Sequence, residues 1–273
     1  MNHKLSYSNI QLSVGVVLVS FVLCMAVVSF FATPYDINAM DTAARNLPPS
    51  LSHFAGTDAM GRDVFSRLMV GARFTLLVAF GTVFFSTIAG SALGLLSGYV
   101  GGVIDEVVMR VIDAVSSFPG ILIALVIVTV MNYGEYTIVL ALFIQFTPSY
   151  ARIVRVGTLQ CKESEYIQNY RVFGASPLRL LVMHIYPSVI HLLVPSVVVG
   201  FSNAILAESS MSYLGLGIQP PKPSWGWMLN EAQSIIFKSP WYALCTGGMI
   251  MLTIVGFNCL GEGLRTRFER GSH

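Results

Sequence analysis

The chain has 273 residues, of which 54% are hydrophobic and only 11% charged, and its mean hydropathy is +0.69. A soluble domain carries about 25% charged residues, so this composition excludes a freely soluble globule and points to an integral membrane protein. The net charge of +2 gives no ground for a nucleic-acid partner. Cys24, Cys161, Cys245 and Cys259 are scattered without a C-x-x-C pair, so no disulfide or zinc framework is implied.

Crossing a ~30 Å hydrocarbon core takes about 20 apolar residues. Runs of that kind predict spans at roughly 12–32, 74–97, 114–131, 137–151, 185–207 and 241–261. The first reads as an uncleaved span. Its apolar stretch outruns the 7–15 residues of a secretory h-region, and Leu23 is too bulky before Cys24 for a lipoprotein site. The next segment, 33–73, is long, polar and Pro-containing, and its Gly56-Thr57-Asp58-Ala59-Met60-Gly61-Arg62-Asp63 cluster predicts a loop with its own structure. Asp58, Arg62, Asp63 and Arg67 can satisfy one another there as surface ion pairs, each worth about 0–1 kcal/mol.

In the second span and its exit Gly90, Gly94, Gly98 and Gly102, preceded by Thr82 and Ser86, form a small-residue ridge. Helices can approach closely on such a ridge, within one bundle or against a second subunit. Spans three and four are separated only by Asn132, Gly134 and Glu135; reading them as one would leave five spans and put the termini on opposite sides. The charge distribution favours six. Arg152, Arg155, Lys162, Arg171 and Arg179 crowd the loop after span four, and Arg265, Arg267 and Arg270 follow span six. The positive-inside rule then places Lys4, Arg110, that loop and both termini in the cytoplasm, with 33–73 and 213–240 outside. Trp225, Trp227 and Trp241 in the second outer segment read as interface aromatics. The terminal Gly271-Ser272-His273 reads as an expression-tag scar.

There is no phosphate-binding G-x-x-x-x-G-K-[ST] loop, no H-E-x-x-H and no G-x-S-x-G elbow, so an enzyme is not expected. His184 and His191 lack a third ligand, so no metal site is expected. Gln145, Asn203, Glu208 and Asn258 are the polar groups within apolar runs and are weak candidates for a translocation path. Charge within the bilayer costs at least ~2.5–3.5 kcal/mol. Glu208 alternatively serves structure, accepting hydrogen bonds from Ser209, Ser210 or backbone N–H groups.

Residues 164–187 are polar, between apolar runs. Tyr166, Tyr170 and Phe173 share a helix face at i, i+4, i+7, Gly174 stands where a left-handed residue would end that helix, and Ser176-Pro177 read as N-cap and N1 of the next. The segment is either a plain hairpin joining two spans or a docking element.

With these pieces assembled, 164–177 resembles the EAA coupling loop of ABC importer permeases. Gly56-Thr57-Asp58…Gly61-Arg62-Asp63-Val64-Phe65-Ser66-Arg67 resembles the extracytoplasmic signature of the C-type permease of dipeptide, oligopeptide and nickel importers. Glu208-Ser209-Ser210-Met211-Ser212-Tyr213-Leu214-Gly215-Leu216-Gly217, Pro220-Pro221…Trp225-Gly226 and Phe257-Asn258…Gly261…Leu264-Arg265 are similar too. The resemblance implies an all-α, type I importer-like bundle of about six transmembrane helices with cytoplasmic coupling helices. Its parts would be an N-terminal helix plus extracytoplasmic loop over 1–73 and a core permease domain over 74–273, with the coupling loop at about 152–184.

The implied partners are a B-type permease, two cytoplasmic ATPases that would hold ATP and Mg, a solute-binding protein, and the lipid of a prokaryotic inner membrane; this chain would hold no cofactor. Glu165, Tyr166, Gln168, Asn169, Tyr170, Arg171, Phe173 and Gly174 would couple to the ATPase, the aromatics as buried anchors and Arg171 as a rim charge. Gln168-Asn169-Tyr170 stands where the usual pattern reads Glu-Ala-Ala. Thr57, Asp58, Gly61, Arg62, Asp63 and Arg67 would serve assembly or reception of the binding protein. The expected cargo is a di- or oligopeptide, with nickel or a metallophore as the family alternative. A stand-alone secondary carrier is the competing class, but acids near mid-membrane, which such a carrier would be expected to hold, are almost lacking.

Overall fold

The computed structural model describes residues 2–271, and describes side chains over 9–268; Ser272 and His273, expected to belong to a tag scar, lie outside the described residues. The chain is almost entirely helical. Its helices are α1 (Asn2–Phe31), α2 (Val64–Val100), α3 (Gly102–Ser117), α4 (Gly120–Met131), α5 (Glu135–Lys162), α6 (Glu165–Val172), α7 (Pro177–Leu180), α8 (Tyr186–Tyr213), α9 (Trp225–Gln233) and α10 (Pro240–Gly271). Between α7 and α8, Leu181–Ile185 form a π turn. Pro187 has no N–H to return to the preceding turn, which suits such a widening.

Close approaches fix the directions. Gly90 lies against Tyr150, Gly94 against Val154 and Gly98 against Thr158, so close that added Cβ atoms would stand 2.6–2.8 Å from those side chains. Helices α2 and α5 therefore run parallel, and the ridge is spent inside one chain. Gly102 lies beyond the end of α2, with nothing near it. Val189 and Leu192 pack on Gly157 and Tyr150 reaches Gly200, so α8 opposes α5. Val199 meets Gly261 and Ser202 meets Ile254, so α10 opposes α8; Leu12 meets Gly263 and Leu18 meets Gly256, so α1 opposes α10. The two chain ends thus emerge on the same side.

Parallel α2 and α5 also decide the number of crossings, because 101–134 must carry the chain back across. Six crossings result, as the Lys/Arg pattern predicts, but the third is not the continuous span expected over 114–131. Helices α3 and α4 meet at 88°. Phe118 is extended (φ −87°, ψ 135°) ahead of Pro119, the conformation a following proline imposes. The 12 residues of α4 rise only about 18 Å, short of a full crossing.

Other spans are longer than expected. Helix α2 starts at Val64, where Asp63 caps it by accepting from the Ser66 amide (2.8 Å), so the boundary at residue 73 falls inside a helix. At one end of the bundle 33–63 and α9 form a cap. Trp225, Tyr242 and Met228 are fully buried there among Val64, Leu68 and Ala72. The interface-belt reading is corrected for Trp225, whose ring lies inside the core and whose Nε1 donates to the Leu68 carbonyl (3.0 Å); Trp227 and Trp241 are half-buried. At the other end stand α6 and α7.

Candidate functional site

The hairpin end is built from few fixed points. The C-terminus of α5 is separated from α6 only by Glu163 and Ser164, and Ile167, fully buried, pins α6 to a core that includes Val154, Ile185 and Val189. Gly174 has φ +79°, and the Gly174 and Ala175 amides donate to the Arg171 and Tyr170 carbonyls (3.0 and 3.1 Å), closing α6 as the sequence predicts. Pro177 begins α7, and Ser176 stands in its N-cap position without a side-chain capping bond.

The aromatic stripe divides. Tyr166 and Tyr170 close around His184, with the Tyr166 hydroxyl 2.9 Å from His184 Nδ1 and the Tyr170 ring 4.1 Å from the imidazole. Phe173 stands free at 86% exposure, with Val172, Leu178 and Met183 also exposed. Of the expected triplet, two rings thus hold the hairpin together and one remains uncovered. Glu165, Gln168 and Asn169 are exposed; Gln168 donates to the Glu163 carbonyl (3.1 Å). Arg171 lies over the Tyr99 ring (5.2 Å) at the end of α2. A concavity of about 370 Å³ lies between Tyr170, Phe173, Gly174, Arg179 and His184.

At the opposite end, the acidic and basic residues of 57–67 are buried, which corrects the expectation of surface ion pairs. Asp58 Oδ2 accepts from Arg62 Nε (2.7 Å) and Arg67 Nη1 (2.6 Å). Both guanidinium groups also reach Glu231 of α9 (3.1 and 2.8 Å), and the Tyr242 hydroxyl donates to Glu231 (2.7 Å). Two negative and two positive charges balance. Burial opposes ionisation of Glu231, but the charges of Arg67 and Arg62 and the hydrogen bonds from Arg67 and Tyr242 hold its carboxyl below the ordinary value.

Asp63 joins His53 (2.9 Å) rather than either arginine. Thr57 accepts from the Leu47 amide (2.8 Å) and donates to the Ala44 carbonyl. Gly61 (φ +78°) lies where a Cβ would strike the Asp41 carbonyl. Glu231 was not among the expected residues; it enters from more than 160 positions away, and no local spacing marks it.

The four intramembrane polar candidates do not meet. Asn203 lines a cavity of about 810 Å³ between α5, α8 and α10, with Tyr150, Arg152, His191, Glu262 and Arg265. Glu208 is fully buried elsewhere and accepts from Ser212 Oγ (2.7 Å) and, at 3.5 Å, from Ser209 Oγ. That is the structural role, with Ser212 in the place expected for Ser210. Gln145 abuts Gly120, and Asn258 is exposed outside the cavity. His184 and His191 part company, one to the hairpin and the other to the cavity.

Comparison with known proteins agrees with this layout. Residues 90–270 match the family described as "Binding-protein-dependent transport system inner membrane component". The glutathione transport system permease protein GsiD of Pectobacterium atrosepticum is 40% identical over 257 residues, covering 91% of this chain and 84% of the relative. Its namesakes from Escherichia coli O6:K15:H31 and Shigella boydii serotype 4 are 41% identical over 253 residues, with the same coverage of each chain.

Proposed function

Since this chain belongs to the binding-protein-dependent transport system inner membrane component family, we propose that it is one of two permease subunits of an ATP-driven importer of peptide-like solutes. Two ATPases, holding ATP and Mg, would bind at the hairpin end in the cytoplasm. A second, related permease would complete the path, and a solute-binding protein would deliver cargo to the cap outside.

The observation that carries this reading is the hairpin. Ile167 and the Tyr166–Tyr170–His184 cluster hold it rigid while Phe173, Val172 and Leu178 project uncovered. Rigid display of an apolar anchor beside a concavity is how a small interface gains affinity, because little side-chain entropy remains to be lost on docking. The Arg-rich distribution supports a cytoplasmic position for this end. Peptide-like cargo is favoured by the names of the relatives and by the cavity, whose Arg265, Glu262 and His191 can meet the carboxylates and ammonium of a short peptide.

The test is purification in mild detergent with identification of the accompanying chains, followed by uptake of radiolabelled glutathione into ATP-loaded proteoliposomes. Recovery of a second permease and two ATPase subunits, with uptake that stops when ATP is withheld, is expected. Uptake by this chain alone, without nucleotide, would overturn the importer in favour of a secondary carrier.

A further inference from the structure

Helix α3 is lightly packed in this bundle. Of its 16 residues Ile112 is the one that is buried, while Val103, Ile104, Val107 and Val111 are exposed. Both of its ends are articulated. At its start stand Gly101 and its first residue, Gly102, with φ +72° and +58°. A Cβ on Gly102 would meet nothing within 4 Å, and one on Gly101 only the tip of Lys162 at 3.9 Å. Glycine is therefore required there by backbone conformation, not by space. After α3 comes the 88° break into α4.

What fixes this rod is charge. Arg155 of α5 grips Asp105 with Nε and Nη2, both at 2.6 Å, the two-pronged geometry that sets orientation as well as distance. Three residues earlier on α5, Arg152 donates to Asp113 (2.8 Å) and Ser116 (3.0 Å). The same α5 runs on into the docking hairpin within two residues, and its last residue, Lys162, donates to the Tyr99 carbonyl (2.6 Å) at the end of α2, just before the glycine articulation.

We propose that the Asp105–Arg155 pair, assisted by Asp113–Arg152, is a positioning latch that carries displacement of the α5–α6 arm into the α3–α4 limb during turnover. The proposal rests on the importer reading. A hairpin moved from below tilts α5; α3, free to turn about Gly101–Gly102, follows through its two arginine grips; and α4 swings with it. Arg155 and Asp105 touch no solute in this mechanism and act only through the helices they join.

The test uses the complete importer in lipid nanodiscs. The four native cysteines of this chain and any in its partners are replaced, and spin labels are placed at Val111→Cys on α3 and Arg267→Cys on α10. With ATP and vanadate against ADP, the wild-type α3–α10 distance is expected to shift by at least ~2 Å, the scale of helix displacements in switching proteins. Arg155→Gln and the isosteric Asp105→Asn should each lose at least half of that shift while ATP hydrolysis continues, and the exchanged pair Asp105→Arg/Arg155→Asp should regain it. An undiminished shift in the single variants, or no wild-type shift, overturns the latch. A shift lost equally in the exchanged pair, with the complex intact, also overturns it. Failure of wild type to bring down any ATPase subunit would instead overturn the importer reading on which it rests. If Arg155→Gln fails to assemble, Asp105→Asn decides.

Discussion

The two ends of the molecule use similar ingredients to opposite ends. Both carry arginines, acids and aromatic rings. At the cap the charges face one another, buried and neutralised in a closed set of Asp58, Arg62, Arg67 and Glu231, and Trp225 has its hydrogen bond inside. At the hairpin only part of the chemistry is consumed: Tyr166, Tyr170 and His184 satisfy each other, while Phe173 and its aliphatic neighbours remain uncovered. A closed set resists deformation and an open one awaits a surface, so damage at the cap should appear as loss of stability and damage at the hairpin as loss of function in a folded protein.

The largest expected effect tests the first half of that contrast. Asp58→Ala leaves two buried guanidinium groups facing one carboxylate, and removing one partner of a buried pair costs about 3–5 kcal/mol. Thermal unfolding in detergent should show a lower Tm and a poor yield of folded protein; an unchanged Tm would mean that the cap is held by its apolar core alone. At the hairpin, Gly174→Pro must fail locally, since proline cannot take φ +79° and loses the amide bond to Arg171. Phe173→Asp should leave Tm unchanged yet lower nucleotide-driven uptake about 10-fold or more, equivalent to ~1.4 kcal/mol at an interface. Wild-type uptake by both would remove the hairpin from the coupling path.

Acid should weaken the cap through Glu231. Folded Glu231 titrates below the ordinary 4.5 of the free group, so the stability it contributes is complete above that value and is lost as pH falls through the lower, folded-state value. Amide protection across 56–67, taken relative to the intrinsic exchange rate at each pH, should therefore fall on acidification below the ordinary range, and Glu231→Gln should remove the share of that dependence that Glu231 carries.

Where the sequence was legible, a local rule was at work. Gly174 as a helix stop, Pro177 as a helix start and the six crossings all follow from short-range chemistry or from charge bias. The break at Phe118-Pro119 is equally local, since a proline disfavours helix in the residue before it, but the apolar run continues across it, and Pro148 and Pro195 sit inside helices without breaking them. Burial of Asp58 and Arg67, by contrast, depends on Glu231 and Tyr242 arriving from far along the chain, and spacing alone reads such residues as exposed. The period of the aromatic stripe is written in the sequence, but the closing of Tyr166 and Tyr170 on His184 is not, because His184 lies beyond the next helix start.

The parallel pairing of α2 and α5 also sets a timetable for biosynthesis. When α2 leaves the ribosome, the residues that will cover its small-residue face lie about 60 positions downstream, on the order of 3–12 s of synthesis at 5–20 residues per second. During that interval the hydroxyl-bearing side of α2, with Ser86 still without the Phe143 carbonyl and Gly90, Gly94 and Gly98 still without Tyr150, Val154 and Thr158, faces lipid or an insertion chaperone. A nascent chain arrested before Gly134 should therefore be cleared by membrane proteases faster than one arrested after Lys162, and the difference in half-life would measure how much of the second helix's place in the membrane is owed to the fifth.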